Sequence, residues 1–117
     1  MIFETHAHYN DERFDDDRET LLSSMKEKGV GTIVNVGADM QGSLASIELA
    51  KKYPFMYAAV GIHPSDCGQM NQNDLKSLED MAQYEKVVAI GEIGLDYYWP
   101  EPDRLIQKEW FVKQLEL

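Results

Sequence analysis

Cysteine is nearly absent from this sequence, since Cys67 is the only one in 117 residues. A single thiol excludes an intramolecular disulfide and a zinc site built from several cysteines of one chain. We interpret Cys67 as a loop thiol and not as a nucleophile, because no basic partner stands beside it in the sequence.

Long hydrophobic runs are also absent. The apolar stretches are no longer than a strand, and residues 1–11 (MIFETHAHYND) carry no cationic flank. Neither a signal peptide nor a membrane span is therefore predicted. We expect a cytoplasmic protein that does not contact a membrane.

Basic residues are scarce, with 11 Lys and Arg against 21 Asp and Glu and a net charge of −10. Proteins that hold nucleic acid on a broad basic surface use Lys and Arg to displace counterions from phosphates, so this class is disfavoured. Any phosphate chemistry needs another source of positive charge. Bound metal ions can supply it, because a divalent cation dominates the local field of an acidic site.

The remaining composition is typical of a globular protein, with 44% apolar and 10% aromatic residues. We expect a single domain over residues 1–117. Four short apolar runs predict strands at residues 1–5, 32–36, 56–62 and 87–90. Segments of helical periodicity follow each of them, at residues 16–28, at 41–52, from 73 or 74 onward, and from 102 to the end.

The helices are expected to bury their apolar positions and to end at breakers, with Gly29 ending the first and Pro54 preventing the second from continuing. The positions expected to face the core are Leu21, Leu22 and Met25, then Leu44, Ile47 and Leu49, then Leu75, Leu78, Met81 and Ala82, and finally Leu105, Ile106, Trp110 and Leu115. Pro102 is expected in the first turn of the fourth helix.

The alternation of strands and helices predicts an α/β fold with a parallel sheet and right-handed crossovers. A closed (β/α)8 TIM barrel needs about 250 residues, so this chain supplies the first four βα units of such a barrel. A doubly wound open sheet is the alternative. That fold usually has a Gly-rich first turn, whereas the first turn here is HAHYND.

Two histidines mark the end of the first predicted strand. Because side chains alternate along a strand, His6 and His8 lie on one face and can point at one metal ion. Neutral imidazole is a common ligand of transition metals, and barrel enzymes carry their chemistry at the C-terminal ends of strands. An isolated H-x-H pair is weak evidence, because such a pair is more often two partly exposed histidines.

Two further polar residues follow predicted strands in the same way. His63, in GIHP, ends the third strand, and Glu92, in AIGEIG, follows the fourth. In a barrel all of these side chains reach the same rim, and a carboxylate can bridge two ions. The pattern therefore predicts a metal or phosphate site at this rim.

The motifs ETHAHYND, GIHP and AIGEIGLDYYW, in this order and spacing, resemble those of the TatD family of hydrolases within the amidohydrolase superfamily. The resemblance implies a (β/α)8 barrel with two divalent metal ions, Mg, Mn or Zn, that hydrolyses phosphodiester bonds of DNA, commonly as an exonuclease. It implies that His6, His8 and Glu92 are metal ligands and that His63 and Glu92 are catalytic, with His63 meeting the substrate phosphate or helping to activate water.

The sequence departs from the family pattern at Glu4, where the family usually has Asp before T-H-x-H. The family's later histidine ligands and its catalytic aspartate correspond to strands beyond residue 117. The chain therefore carries only half of the expected active site, and we expect it to be a poor nuclease when alone.

The segment after Glu92 offers further candidates. Asp96 and Tyr97 are predicted to touch substrate, although a buried turn held by aromatic packing is an equal alternative. Tyr98 and Trp99 could stack on a base, or they could cover the core. The acidic run at residues 15–17 is predicted to be a solvated helix start.

Two rival interpretations remain open at this stage. The same metal site could act on esters, lactones or amides instead of DNA. Alternatively, the chain could be a non-catalytic fragment or an assembly module whose edge strands pair with another chain, including a second copy of itself.

Overall fold

The computed structural model describes all 117 residues and contains four strands that alternate with four helices. The strands are β1 (Ile2–Ala7), β2 (Val30–Val36), β3 (Met56–Val60) and β4 (Val87–Ile90). The helices are α1 (Arg18–Ser23), α2 (Met40–Lys52), α3 (Gln72–Met81) and α4 (Arg104–Leu115), with short 3₁₀ turns at Glu12–Phe14 and Cys67–Gln69. The predicted βαβαβαβα order is confirmed.

The strands form one parallel sheet in the order β1-β2-β3-β4. Each strand pairs with the one before it in the chain, as in a (β/α) barrel and unlike a doubly wound sheet, where the order reverses. All four strands therefore end at one edge, which we call the carboxyl edge. The pairing of β1 with β2 is irregular between Glu4 and Ala7, the stretch that contains His6.

The core lies between the sheet and the helices. Ile33, Met56, Ala58 and Val60 of β2 and β3 are at most 4% exposed, and they pack against apolar side chains of the helices: Leu22 and Met25 of α1, Ile47 and Ala50 of α2, Leu78 and Met81 of α3, and Trp110 of α4. This continuous burial on the helix side is the main stabilising contribution to such a fold.

The observed helix ends correct several predicted boundaries. Helix α1 is shorter than predicted and gives way to turns before Gly29, whose φ of +83° lies in the left-handed region that favours glycine. Helix α3 begins after Asn71, which forms a capping box with Asp74. Helix α4 begins at Arg104 after the capping residue Asp103, so Pro102 precedes the first turn instead of occupying it.

Several apolar positions predicted to face the core are instead exposed. Leu105 and Leu115 of α4 are 74% and 61% exposed, while Gln107 and Gln114 on the opposite face are 1% exposed. Helix α2 likewise buries Ser43 and Ser46 and exposes Leu44. The reason is that these buried polar side chains have hydrogen-bond partners. Ser43, Gln107 and Gln114 bond backbone groups of neighbouring loops, and Ser46 bonds Asn35 of β2 and Gly42 of its own helix.

The outer strands carry exposed apolar side chains. Ile2 and Phe3 on β1 and Val88 on β4 are each more than half exposed. Since β1 and β4 each pair on one side only, their outer backbone groups are available to another strand. None of the helices has the length and apolar character needed to cross a membrane.

Candidate metal centre and active site

His6 and His8 lie at the carboxyl edge, the first near the end of β1 and the second just after it. Their Nε2 atoms are 3.1 Å apart, and the two rings meet edge to face with centroids 4.9 Å apart. Both side chains therefore point into the same space, and both are partly exposed.

Glu92 reaches the same space from the loop that follows β4. Its Oε2 lies 3.3 Å from Nε2 of His6 and 3.6 Å from Nε2 of His8. The loop is anchored at this point, because the backbone N–H of Glu92 donates to the carbonyl of Gly37 after β2. One ligand atom from each of the three side chains lies within 4.8 Å of the other two, a grouping that could hold a metal ion.

The hydrogen bonding of His8 suits a metal ligand. Its Nδ1 lies 2.8 Å from the carbonyl oxygen of Val36, to which it can only donate. The neutral ring then carries its proton on Nδ1, so the lone pair of Nε2 faces His6 and Glu92. Histidine ligands commonly donate their second ring nitrogen to a carbonyl in this way, which fixes both tautomer and orientation. The donor set of two imidazoles and one carboxylate therefore fits a divalent ion.

His63 joins the group but has the opposite tautomer. The backbone N–H of Ser65 donates to Nδ1 of His63 at 3.1 Å, and Ser65 Oγ lies 2.6 Å from the same atom. Because Nδ1 accepts, the proton of the neutral ring is on Nε2, which lies 3.7 Å from Oε1 of Glu92. His63 thus presents a hydrogen-bond donor to the site, while His8 presents a lone pair.

Asp96 and Tyr97 have their own partners, apart from the group of His6, His8, His63 and Glu92. The carboxylate of Asp96 accepts from the backbone N–H of Tyr98 at 3.1 Å, which ties it into its own turn. The ring of Tyr97 is covered by the guanidinium of Arg104, 4.4 Å from the ring centroid. Their predicted contact with substrate stays a prediction.

The carboxylate of half-buried Glu4 is bonded to the backbone of its own strand. Its Oε1 accepts from the backbone N–H of His6 at 2.9 Å, across the register shift of β1. The longer side chain at this position therefore supports the backbone of a candidate ligand.

Asn35 is a positioning residue that the sequence analysis missed. It is fully buried on β2, where its Oδ1 accepts from the backbone N–H of Tyr9 at 2.6 Å. Its Nδ2 donates to Asn10 Oδ1 and to Ser46 Oγ, both at 2.9 Å. These bonds hold the loop directly after His8. The sequence signal that could have identified Asn35 is its position as the single polar residue in the apolar run IVNV.

Arg18 supports the same loop from the start of α1. Its guanidinium donates to the backbone carbonyls of Tyr9, Asn10 and Asp11 and to the carboxylate of Asp15. The acidic run at 15–17 is exposed and directly precedes α1, as predicted, and Asp15 also forms an ion pair with Arg18.

Two buried polar side chains fix the end of β3. The hydroxyl of Ser43 accepts from the N–H of Gly61 and donates to its carbonyl, at 3.0 and 3.1 Å. Gln114 does the same for the next residue, accepting from the N–H of Ile62 at 2.8 Å and donating to its carbonyl at 3.2 Å. Both contacts immediately precede His63 and hold it at the rim.

Cys67 is buried in the 3₁₀ turn after His63, at 1% exposure, and its thiol donates to the carbonyl of Pro64. Burial raises the pKa of the Cys67 thiol above its usual value. A protonated, enclosed thiol is a poor nucleophile, in agreement with the sequence interpretation.

The fold and this grouping together define a class of protein, a TIM-barrel type α/β structure with a candidate metal centre at the carboxyl edge. Comparison with known proteins narrows the class. The chain belongs to the TatD family, since the family model described as TatD related DNase matches residues 3–117.

Individual relatives agree with this assignment. The chain is 44% identical to the metal-dependent hydrolase YabD of Bacillus subtilis over all 117 residues, which make up 46% of that protein. It is 34% identical to the 3'-5' ssDNA/RNA exonuclease TatD of Pectobacterium carotovorum over 82% of the chain and 37% of that protein. The chain thus spans less than half the length of these relatives.

Solved structures show the same fold. The crystal structure of the TatD homologue YjjV from Escherichia coli superposes with a TM-score of 0.88 at 31% identity, covering 98% of this chain and 45% of that one. A TatD family hydrolase from Entamoeba histolytica superposes with a TM-score of 0.86 at 22% identity, over 97% of this chain and 44% of that one.

Proposed function

We propose that this chain contributes the metal-binding residues His6, His8 and Glu92 to a metal-dependent hydrolase that cleaves phosphodiester bonds of DNA as an exonuclease acting from a strand end. The observation that carries the proposal is the convergence of three ligand atoms within 4.8 Å at the carboxyl edge. The hydrogen bond from His8 to Val36, which directs the Nε2 lone pair into the group, supports it.

The choice of DNA as substrate rests on the family and its relatives. The family model is described as a DNase, and the similar TatD proteins are named as exonucleases of single-stranded DNA and RNA. A divalent ion held by His6, His8 and Glu92 would supply positive charge near a phosphoryl oxygen and lower the pKa of bound water. Two ions, of Mg, Mn or Zn, suit the mixed nitrogen and oxygen donors.

Glu92 and His63 have separate roles in this proposal. Glu92 faces His6 and His8 with Oε2 and His63 with Oε1, so one carboxylate links the metal-binding side to the donor side. His63, with its proton on Nε2, donates a hydrogen bond to a phosphate oxygen of the substrate or orients the attacking water. Asp96 and Tyr97 border the substrate from the loop that follows.

We further propose that residues 1–117 form the N-terminal half of an eight-unit barrel domain. The two edge strands, the exposed Ile2, Phe3 and Val88, and the coverage of less than half of the relatives support this proposal. On this view the chain alone binds metal weakly and hydrolyses DNA poorly, since the remaining ligands belong to the other half.

The proposed function is tested with Glu92→Ala, and with Glu85→Ala as the matched control. Glu85 is exposed and precedes β4 at the opposite edge of the sheet. Calorimetric titration with Mn²⁺ or Zn²⁺ measures binding to the chain, and metal-dependent cleavage of single-stranded DNA is measured in the complete protein. We expect Glu92→Ala to lower both by about 100-fold or more, with an unchanged Tm.

Hydrolysis in the Glu92→Ala protein at the wild-type rate would contradict the assignment. A panel of esters, lactones and amides separates the rival chemistries, because a preference for any of them over a phosphodiester would favour that substrate class. Absence of metal binding in the wild-type chain and in the complete protein would favour a non-catalytic assembly role.

We also propose that the isolated chain associates with itself through β1 and β4. Pairing of two copies would satisfy the outer backbone groups of both strands and cover the apolar side chains beside them. Size-exclusion chromatography with light scattering tests this. A single species at 13.4 kDa over a range of concentrations would contradict self-association.

A further inference from the structure

Two adjacent aromatic side chains stand out in the loop between β4 and α4. Tyr98 is 83% exposed and Trp99 is 61% exposed. Their rings meet edge to face, with centroids 4.8 Å apart. Two large rings that pack on one another and not on the core leave substantial aromatic surface open to a ligand.

The loop that carries these rings is anchored from below by Gln107, which is 1% exposed on α4. Gln107 Oε1 accepts from the backbone N–H of Asp96 at 2.8 Å, and its Nε2 donates to the carbonyls of Asp96 and Pro102 at 2.9 and 2.8 Å. These bonds pin both ends of the segment from Asp96 to Pro102. The aromatic pair is therefore presented on a held backbone, which lowers the ordering cost of binding.

The loop is continuous with the candidate metal centre. It is the same segment that begins with Glu92, so Trp99 is only seven residues further along the chain. It also borders the His63 loop, because a cleft of about 380 Å³ lies between Ser65 and Gly68 on one side and Glu101 and Pro102 on the other. The aromatic pair and Glu92 therefore belong to one loop at the carboxyl edge.

Electrostatics at the carboxyl edge argue for recognition of bases instead of phosphates. The four loops at this edge, residues 8–17, 37–39, 61–71 and 91–103, contain a single Lys or Arg, namely Arg13. Its guanidinium is paired with Asp11 at 3.0 Å. Arg104, the first residue of α4, adds one cation next to these loops, with its guanidinium over the ring of Tyr97. The cleft between the His63 loop and the end of this segment has the acidic residues Asp66 and Glu101 in its lining and no Lys or Arg. These loops offer little attraction to a polyanionic backbone away from a bound metal.

We propose that Tyr98 and Trp99 form a stacking platform for an unpaired base of a single-stranded nucleic acid whose phosphate lies at the site of His6, His8 and Glu92. The inference rests on the proposed function and assigns contact with a substrate base to these two side chains. Stacking suits an acidic surface because every base has an uncharged π-face. In a duplex the faces of the bases are covered by their neighbours, so a single strand is preferred.

The platform is tested by fluorescence, since the two tryptophans differ sharply in exposure. Trp110 is 9% exposed and lies in the core. Quenching that occurs in the wild type and is lost in Trp99→Leu therefore reports on Trp99. Two probes separate bases from phosphates. A methylphosphonate oligodeoxyadenosine has bases on an uncharged backbone that resists hydrolysis, and an abasic oligonucleotide has phosphates without bases. We expect the first to quench Trp99 and the second not to.

Replacement of either ring gives the quantitative test in the complete protein. Tyr98→Leu and Trp99→Leu should each weaken binding of the methylphosphonate oligonucleotide by roughly 5- to 150-fold, the range for loss of one stacked base. The binding of Trp99→Leu is followed by anisotropy of a labelled oligonucleotide. Tyr84→Leu is the matched control, because Tyr84 is 49% exposed and precedes β4 at the opposite edge.

Salt provides an independent measurement. Binding that depends on stacking should weaken by less than about tenfold between 50 and 200 mM salt, whereas a surface with many phosphate contacts loses far more. Equal binding of the abasic and base-containing probes, or wild-type affinity in Trp99→Leu, would overturn the platform.

The failure of the platform and the failure of the proposed function are distinguishable. Base-dependent quenching in a protein that hydrolyses no nucleic acid would uphold the platform and refute the hydrolase. Metal-dependent cleavage of single-stranded DNA at an unchanged kcat/KM in the Tyr98→Leu, Trp99→Leu double variant would uphold the hydrolase and refute the platform.

Discussion

Replacement of Asn35 by Leu should damage both the stability of the protein and its affinity for metal. Leucine nearly matches asparagine in shape, so the change removes polar contacts without opening a cavity. Three hydrogen bonds disappear, to Tyr9, Asn10 and Ser46, and the buried N–H of Tyr9 loses its acceptor. At about 1 kcal/mol for each bond, with more for an unsatisfied donor, the expected loss is about 3 kcal/mol.

The effect on metal binding follows from the position of the bonds. Tyr9 directly follows His8, so a freed loop no longer holds the imidazole in register with Glu92. Loss of a supporting contact of this kind typically lowers metal affinity by about 10- to 100-fold. Urea unfolding gives the stability, and calorimetric titration with Zn²⁺ gives the affinity.

Asn71→Ala is the matched control for Asn35→Leu. Asn71 caps α3 through a bond from the backbone N–H of Asp74 and makes no contact with the candidate ligands. Its loss should cost about 1 kcal/mol and leave metal affinity unchanged. An unaltered urea midpoint in Asn35→Leu, or equal metal affinity in the two variants, would refute the reasoning.

Three further outcomes are expected. Gln114→Leu removes two hydrogen bonds to Ile62 and should cost about 2 kcal/mol in urea unfolding, with a reduced kcat in the complete protein. Lys86→Met should lower the free energy of unfolding by about 1.5–3 kcal/mol, because Lys86 donates to backbone carbonyls at the end of α2. The control Lys26→Met changes an exposed lysine and should leave the free energy of unfolding unchanged. Iodoacetamide at pH 8 should alkylate native Cys67 at least about tenfold more slowly than the urea-unfolded chain, because burial raises the pKa of this thiol, and equal rates would contradict its enclosure.

The order of elements followed from the sequence because strand and helix periodicities are local properties. The runs around Ile33 and Val87 have strand length, and Leu22 and Leu78 recur at helical spacing. Helix boundaries were less accurate. Pro102 was predicted in the first turn of α4, but the helix begins after Asp103. The carboxylate of Asp103 accepts from the backbone N–H of Leu105 and so caps the helix, a contact that only the folded structure shows.

The buried face of α4 was predicted from hydrophobicity only in part, since Trp110 is buried as predicted. Leu105 and Leu115 suggested one face, yet Gln107 and Gln114 are buried on the other. A glutamine is stable in the interior only when its amide finds partners, and these partners are the backbones of Asp96 and Ile62, from loops distant in sequence.

The sequence by itself determined the parallel βα order and placed His6, His8, His63 and Glu92 after strands, because alternation and apolar runs are written locally in the chain. Tertiary structure alone decided how near these side chains lie and which ring nitrogens face one another. Those distances depend on strand register and on hydrogen bonds to Val36 and Ser65, which only the folded backbone brings within reach.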